Sequence, residues 1–446
     1  MSVTELLAKN ITGITVTDIP NDILHESSRT LINMIAVSLS ASHDKPVEAL
    51  VKWVQEEGAI PRASVIGSNL KTSLSNAALL NGYMAHLHDY DDTHFPTVLH
   101  PSAPVWPAIL ATAEHRKISG REALAAFAIG AEVACRVSMS VHPWHYDDGW
   151  HITGTAGVFG AAAGTSWAEN LEQNKVIHAL GIAGTQASGV REVFGSDTKA
   201  LHPAKAASNG LQATLLAKDG LTGPQDIIGG RRGFWAVLSS QGHDEQQLID
   251  AFGSRWELRN NGLKPYANGV VSHPIQDAVI QLRNTHQLKP ENVTNIFVRV
   301  HPLVLELMNR PNPRHGLEGK FSFQHCAASA LIDGAGHNAQ FSDLNVLDPK
   351  VSAMRRKVEA EIDHSFNEDE VYVTIKLTDG KSVNKHIKHA SGSPKNPMSD
   401  ESLENKYRAL VTPVLGEDQA TKLLEELWAL PEAPNLNRIM KLTTKS

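Results

Sequence analysis

Between Gly154 and Gly164, glycine recurs at positions 154, 157, 160 and 164, set among alanines. Small residues at this spacing leave one side of a helix almost bare, so that another backbone can approach it closely. A chain carrying such a face must pack helix tightly on helix, or subunit on subunit. The same texture recurs from Ala179 to Gly189. Upstream, Ser119-Gly-Arg-Glu122 reads as a capping box that opens a long apolar helix over Ala123 to Met139. Leu31, Ile32, Met34, Ile35 and Leu39 also recur at helical spacing. The first half of the chain is therefore expected to be helix after helix.

The texture changes near Ser272. Ile296-Phe-Val-Arg-Val300 is a β-type run, and Glu370 to Leu377 alternates apolar with polar residues. Thr378-Asp-Gly-Lys381 follows it with the Asp-Gly pair that hairpins favour. Strands are expected only between about Asn292 and Lys388, with a helix over Gln324 to Gly334 among them. Ser391 to Pro397 reads as a loop, and Ser402 to Met440 returns to helix. The expectation is a mainly α protein, in which a large all-α domain (1–268 plus 398–446) is interrupted by a smaller α+β domain (269–397).

Charge and cysteine usage narrow the function. A formal net charge of −7 argues against a nucleic-acid or anionic-membrane partner, both of which favour basic surfaces. It leaves room for a local cationic pocket that takes a small anion. Cys135 and Cys326 lie far apart in apolar stretches, which excludes a disulfide framework and fits a reducing compartment. The opening MSVTELLAKNITG has no basic-then-apolar leader pattern, and the charge-poor run from Ile152 to Trp167 is too short and polar for a membrane span. A cytoplasmic protein is expected.

The densest polar cluster is His86-Leu-His-Asp-Tyr-Asp-Asp-Thr-His94, followed by Leu99-His100-Pro101. Histidine titrates near neutral pH and a carboxylate can orient it, so an acid/base and anchoring site is one reading. A metal site is another, and an aspartate-rich Mg²⁺-diphosphate site on Asp89, Asp91 and Asp92 is a third. A solvated helix end followed by a turn is the plain alternative. His86 and His88 cannot share one helix face, which weakens the metal reading. A second cluster, His142 to His151, precedes the glycine-rich helix; a helix N-terminus there is expected to lower the His151 pKa and free it as a base. Lys199 and Lys264 stand in short Gly- and Pro-marked surroundings. No phosphate-binding loop, dinucleotide fingerprint or nucleophile elbow is present, so no nucleotide, flavin or nicotinamide cofactor is indicated.

Taken together, Asp89-Tyr-Asp-Asp-Thr93 after His86, Leu99-His-Pro101, Trp150-His-Ile-Thr-Gly-Thr155, Lys199-Ala-Leu-His-Pro203 and Leu263-Lys-Pro-Tyr266 resemble the motifs of the MmgE/PrpD family. The resemblance covers nearly the whole chain and keeps the motifs in order. It implies a homodimer whose smaller domain is a lid, acting without metal or organic cofactor at carbon α to a carboxylate of a small di- or tricarboxylic acid. Carried over by motif, Asp89, Thr93, His100, His151, Lys199 and Lys264 would line the pocket, with His86 beside them and Tyr146 added on position. Gly319-Lys-Phe-Ser-Phe-Gln-His325 resembles a further motif that ends in Tyr in the family, so His325 implies altered substrate contacts. Within the family the likeness is nearest to iminodisuccinate epimerase. This implies proton abstraction and return at one carbon, with His151 as base on one face and Lys264, Tyr146 or Asp89 on the other. A hydro-lyase or decarboxylase on a citrate-like acid is the alternative.

Overall fold

The computed structural model describes residues 1–445 and is mainly helical. It divides into two compact units. The first comprises Met1–Leu87, Asp91–Asn261 and the chain from Ser399 onward, so in sequence the second unit interrupts it. The second comprises Gly262–Met398 together with the tripeptide His88–Tyr90.

In the first unit the glycine face does what its spacing implies. The helix Gly157–Ala168 lies against the helix Gly120–Val141 with almost nothing between the two backbones. A Cβ on Gly160 would sit 2.6 Å from the carbonyl oxygen of Gly130, and one on Gly164 would sit 2.6 Å from that of Ala126. The Ser119–Glu122 capping box is present, with the Glu122 amide donating to Ser119 Oγ and Glu122 reaching back to the Ser119 amide. By length and composition Gly120–Val141 is apolar enough to cross a membrane, yet 94% of its most apolar window is buried inside the protein, which makes it a core helix. It also carries an internal ion pair, Arg136 to Glu132, at i,i+4. Arg136 donates further to the main-chain oxygens of Asp250 and Arg255 at 2.7 and 2.8 Å, which a buried guanidinium requires.

One expectation is corrected here. Strands are not confined to 292–388: Ala63–Ser64 pairs antiparallel with Lys71–Thr72 in the first unit. Two residues per strand are too few to show a period of two, so no pattern announces them.

The second unit is built on a four-stranded sheet. Val358–Ile362, Val293–Val300, Val371–Leu377 and Ser382–Ile387 lie side by side in that order. The first pair is parallel and the others antiparallel. Val371, Val373 and Ile375 are buried while their neighbours are not, which reproduces the alternation in the sequence. Helix His273–His286 covers this sheet and packs on helix Phe323–Asp333, which ends at Gly334 in the left-handed conformation. The tripeptide belongs to this unit through its hydrogen bonds. Lys320 Nζ donates to the His88 carbonyl, and the Tyr90 hydroxyl donates to the Pro265 carbonyl at 2.8 Å.

Candidate active site

In the first unit, helix Leu74–Leu87 ends at a turn, and this brings His86 onto the acids that follow it. His86 Nδ1 lies 2.8 Å from Asp91 Oδ2, and both side chains are fully buried. His100 closes on the same carboxylate, its Nδ1 3.4 Å from Asp91 Oδ1 and 2.8 Å from the main-chain oxygen of Asp92. Thr93 Oγ1 stands 3.4 Å from the same nitrogen, and the His100 amide donates to Thr153 Oγ1. The His86 and His100 rings meet edge to face, with centroids 4.6 Å apart, and the His151 ring is 5.8 Å from that of His86.

His151 sits where the chain enters the single turn Ile152–Thr155. The Phe194 ring stands nearly perpendicular to that of His151, with centroids 5.0 Å apart, and the Lys199 ammonium lies 5.0 Å from the Phe194 ring centroid. Lys199 is itself buried, in a short 3₁₀ turn over Asp197–Ala200. His202, one turn further along, brings its Nδ1 to 2.9 Å from His151 Nδ1. The first unit thus gathers His86, Thr93, His100, His151 and Lys199, all expected, and adds Asp91, Phe194 and His202.

The electrostatics follow from burial. Burial pushes His86 down to about 4, with Lys199 and His100 adding to it against the pull of Asp91. His151 is held well below the ordinary imidazole value by burial first, then by Lys199, His86, His202 and His100. The helix N-terminus expected from sequence is present, His151 standing at the N-cap of Ile152–Thr155, and burial is the leading cause of the lowering. Both rings are neutral at pH 7. Burial alone would raise Asp91, but the His86 and His100 contacts hold it well below the usual carboxylate range, so it is the anion that fixes the two rings. Asp92 is pushed up to about 7 by burial and by Asp91, and it accepts from Ser102 Oγ and Asn261 Nδ2 at 2.8 Å each.

This arrangement corrects the diphosphate reading. Asp91 and Asp92 are fully buried and committed to protein donors, not fanned out toward solvent for Mg²⁺. His86, Asp91 and His100 do each offer a ligand atom within 4.8 Å of one another, so an ion is geometrically conceivable there. Asp91 Oδ1 and His86 Nε2 are buried there without a hydrogen-bond partner, while the His86 Nδ1–Asp91 Oδ2 contact uses the other atom of each.

Tyr146 is buried in the first unit, its ring 4.0 Å beneath the Arg191 guanidinium. Its neighbour His145 bridges the Leu238 carbonyl and Thr155 Oγ1 and is pushed down to about 4 by burial.

In the second unit, Asp89 takes the left-handed backbone at φ 50°, a conformation aspartate tolerates better than most residues. Lys264 Nζ donates to Asp89 Oδ1 at 2.8 Å and to its carbonyl at 3.0 Å, and both side chains are buried. His325, also buried there, is engaged at both ring nitrogens. Nε2 contacts the Gln340 carbonyl at 2.8 Å and Ser329 Oγ at 3.2 Å, and Nδ1 contacts Arg355 Nη1 at 3.4 Å.

His202 lies within the Lys199–Pro203 motif, which is the sequence signal for it. Phe194 carried none.

Known proteins supply the family. The MmgE/PrpD N-terminal domain matches residues 5–253 and the MmgE/PrpD C-terminal domain matches residues 266–430. The chain belongs to the MmgE/PrpD family. Among its curated relatives, the cis-aconitate decarboxylase of Mus musculus is 28% identical over 99% of this chain and 93% of that protein. That of Homo sapiens is 26% identical over 95% of this chain and 91% of its own. That of Aspergillus terreus is 26% identical over 95% and 92%. These names overturn the expectation of an iminodisuccinate epimerase, and with it the isomerase class: the MmgE/PrpD relatives found are decarboxylases, which are lyases. The motifs that suggested an epimerase are common to members with different reactions and do not encode which bond breaks.

Proposed function

We propose that the protein is a lyase that removes a carboxyl group from a small unsaturated tricarboxylate of the cis-aconitate kind. The observation that carries this is similarity, along nearly the full length of both chains, to proteins named cis-aconitate decarboxylase. When a carboxylate leaves as CO₂, the electron pair of the broken C–C bond stays on carbon. In an unsaturated acid the adjacent C=C bond relays that pair to a second carboxylate, and a proton is then added to carbon. Such a reaction needs cationic donors at the oxygens that take up charge, and a proton donor at one carbon. It needs no base to remove a C–H proton.

The buried Lys199 suits the first task, with His100 and Thr93 as hydrogen-bonding contacts for a carboxylate. His151, neutral and enclosed by His86, Phe194 and His202, suits the relay of the proton. The family resemblance carries Lys264, held by Asp89 in the second unit, as a further cationic residue. The family resemblance also supports the smaller unit as a lid and the working form as a homodimer. Light scattering from the purified protein tests the dimer, and a monomer mass would refute it.

The test of the function is direct. Incubated with cis-aconitate, the protein is expected to release one CO₂ per substrate consumed, and in D₂O the product should carry one deuterium on carbon. Consumption by addition or loss of water, without CO₂, would sink the proposal in favour of a hydro-lyase. No consumption of cis-aconitate would sink the substrate class.

A further inference from the structure

His151 and His202 approach each other nitrogen to nitrogen, with Nδ1 2.9 Å from Nδ1. At this distance one ring must donate and the other accept, so a single hydrogen lies between them. Both rings are neutral near pH 7. Burial and Lys199 push His202 down to about 4, and burial with Lys199, His86, His202 and His100 lowers His151. A neutral imidazole carries one N–H, so the state of Nδ1 decides the state of Nε2. The tautomers of the two rings are thereby coupled: one carries its hydrogen on Nδ1 and the other on Nε2.

The backbone around His202 is shaped for this contact. A Cβ on Gly189 would lie 2.9 Å from His202 Cγ and Nδ1, and one on Gly154 would lie 2.4 Å from the Ser188 carbonyl and 3.1 Å from His202 Cβ. The same Gly189 offers its carbonyl to the His151 amide at 2.9 Å. Two glycines therefore clear the space for the His202 ring, and one of them also anchors the backbone of the residue it contacts. His151 is further bounded by His86 from the last turn of helix Leu74–Leu87, by His100 just ahead of helix Ser102–Arg116, by Lys199 from its 3₁₀ turn and by the apolar ring of Phe194. His202 is the one group with a hydrogen-bonding contact to the His151 ring in this set.

We infer that His202 is a positioning residue that holds His151 in one ring tautomer and one orientation. Resting on the decarboxylase reading, this means that His202 determines whether His151 can relay a proton to the substrate carbon. Removing the contact lets the ring exchange tautomers and turn. A misplaced catalytic group of this kind costs on the order of 10²-fold in rate.

The experiment compares wild type, His202→Leu and His202→Asn. The Asn side chain offers a donor and an acceptor close to the place of Nδ1. With cis-aconitate, His202→Leu is expected to lose about 10²-fold in kcat with KM little changed, and to shift the pH profile of kcat. His202→Asn should recover most of that loss. Equal kcat and equal pH profiles for His202→Leu and wild type would overturn the inference, as would an Asn variant no better than Leu.

Histidine ¹⁵N resonances provide a readout independent of activity. Wild type should show His151 as one neutral tautomer from about pH 6 to 8, and His202→Leu should show a tautomer mixture. A mixture in the wild type itself would overturn the inference even if His202→Leu fails to fold. Absence of CO₂ release by the wild type with a single His151 tautomer would refute the decarboxylase reading and leave the pairing intact.

Discussion

Gly160→Ala tests whether the close approach of two helix backbones holds the first unit together. The added Cβ would lie 2.6 Å from the Gly130 carbonyl oxygen, 2.7 Å from Ala134 Cβ and 3.1 Å from Val105 Cγ2, where ordinary contact begins at 3.4 Å. The nearest of these neighbours is main chain, which cannot swing away, so the helices Gly157–Ala168 and Gly120–Val141 must separate. Overpacking of this kind costs about 1 to 3 kcal/mol, and with backbone as the obstacle the upper end applies. Against it stands the helix-propensity gain of Ala over Gly, about 1 kcal/mol. The net loss is about 2 kcal/mol, which for a unit of about 300 residues lowers Tm by roughly 3 °C. Gly13→Ala is the control. Gly13 ends helix Val3–Gly13 and has nothing within 4 Å of its would-be Cβ, so it should keep or raise Tm. Differential scanning calorimetry reads both. A Gly160→Ala protein as stable as Gly13→Ala would refute the close-packing argument.

Other parts of the molecule give further expectations. Arg136→Met leaves Glu132 buried without its cation and should cost about 3 to 5 kcal/mol in urea unfolding. Burial already raises Glu132 to about 7 even with Arg136 present, so its folded-state value lies above the unfolded one and stability falls as pH rises through that range. Without Arg136 that range moves higher, and the deficit should be larger at pH 8 than at pH 6; a deficit independent of pH would refute the coupling. Lys199→Met should lower kcat with cis-aconitate by about 10²- to 10³-fold, as loss of a charge-stabilising donor does. Unchanged kcat would remove Lys199 from the chemistry. Dialysis against excess EDTA should leave activity intact; a loss restored by a divalent ion would put that ion on His86, Asp91 and His100.

Legibility in the sequence tracked how local each feature is. The Ser119–Glu122 box, the glycine face and the Val371–Leu377 alternation involve residues a few positions apart, and each formed where its pattern lies. Val358–Ile362 was missed because its partner, Val293–Val300, is distant in the chain and parallel, so no turn chemistry joins them. The site divides the same way. Residue types marked His86, His100, His151 and Lys199, yet the contact of His86 with Asp91 spans a helix end and a turn, outside any helical spacing. At His151 the sequence marks the helix start, while the leading cause of its lowered pKa is burial. A helix start can be guessed from sequence, but the enclosure by three histidines and a lysine requires the fold.

The reaction was the least legible feature, and the chemistry explains why. Proton exchange, loss of water and loss of CO₂ all develop negative charge on a carboxylate beside the reacting carbon. All three therefore ask for the same buried cation and the same neutral imidazole, so Lys199 and His151 answer each equally well. What separates them is which bond of the substrate lies so that its electrons overlap the developing enolate, and that is set by how the carboxylates are held. A single tautomer at His151 narrows the choice, since a ring fixed by His202 delivers or receives its proton along one line only. Decarboxylation requires that line to end on the carbon that gains the proton, away from the carboxyl that leaves. The position of the deuterium taken up from D₂O therefore reports the direction of His151 as well as the class of reaction, and deuterium on the carbon that lost CO₂ would refute the relay through the C=C bond.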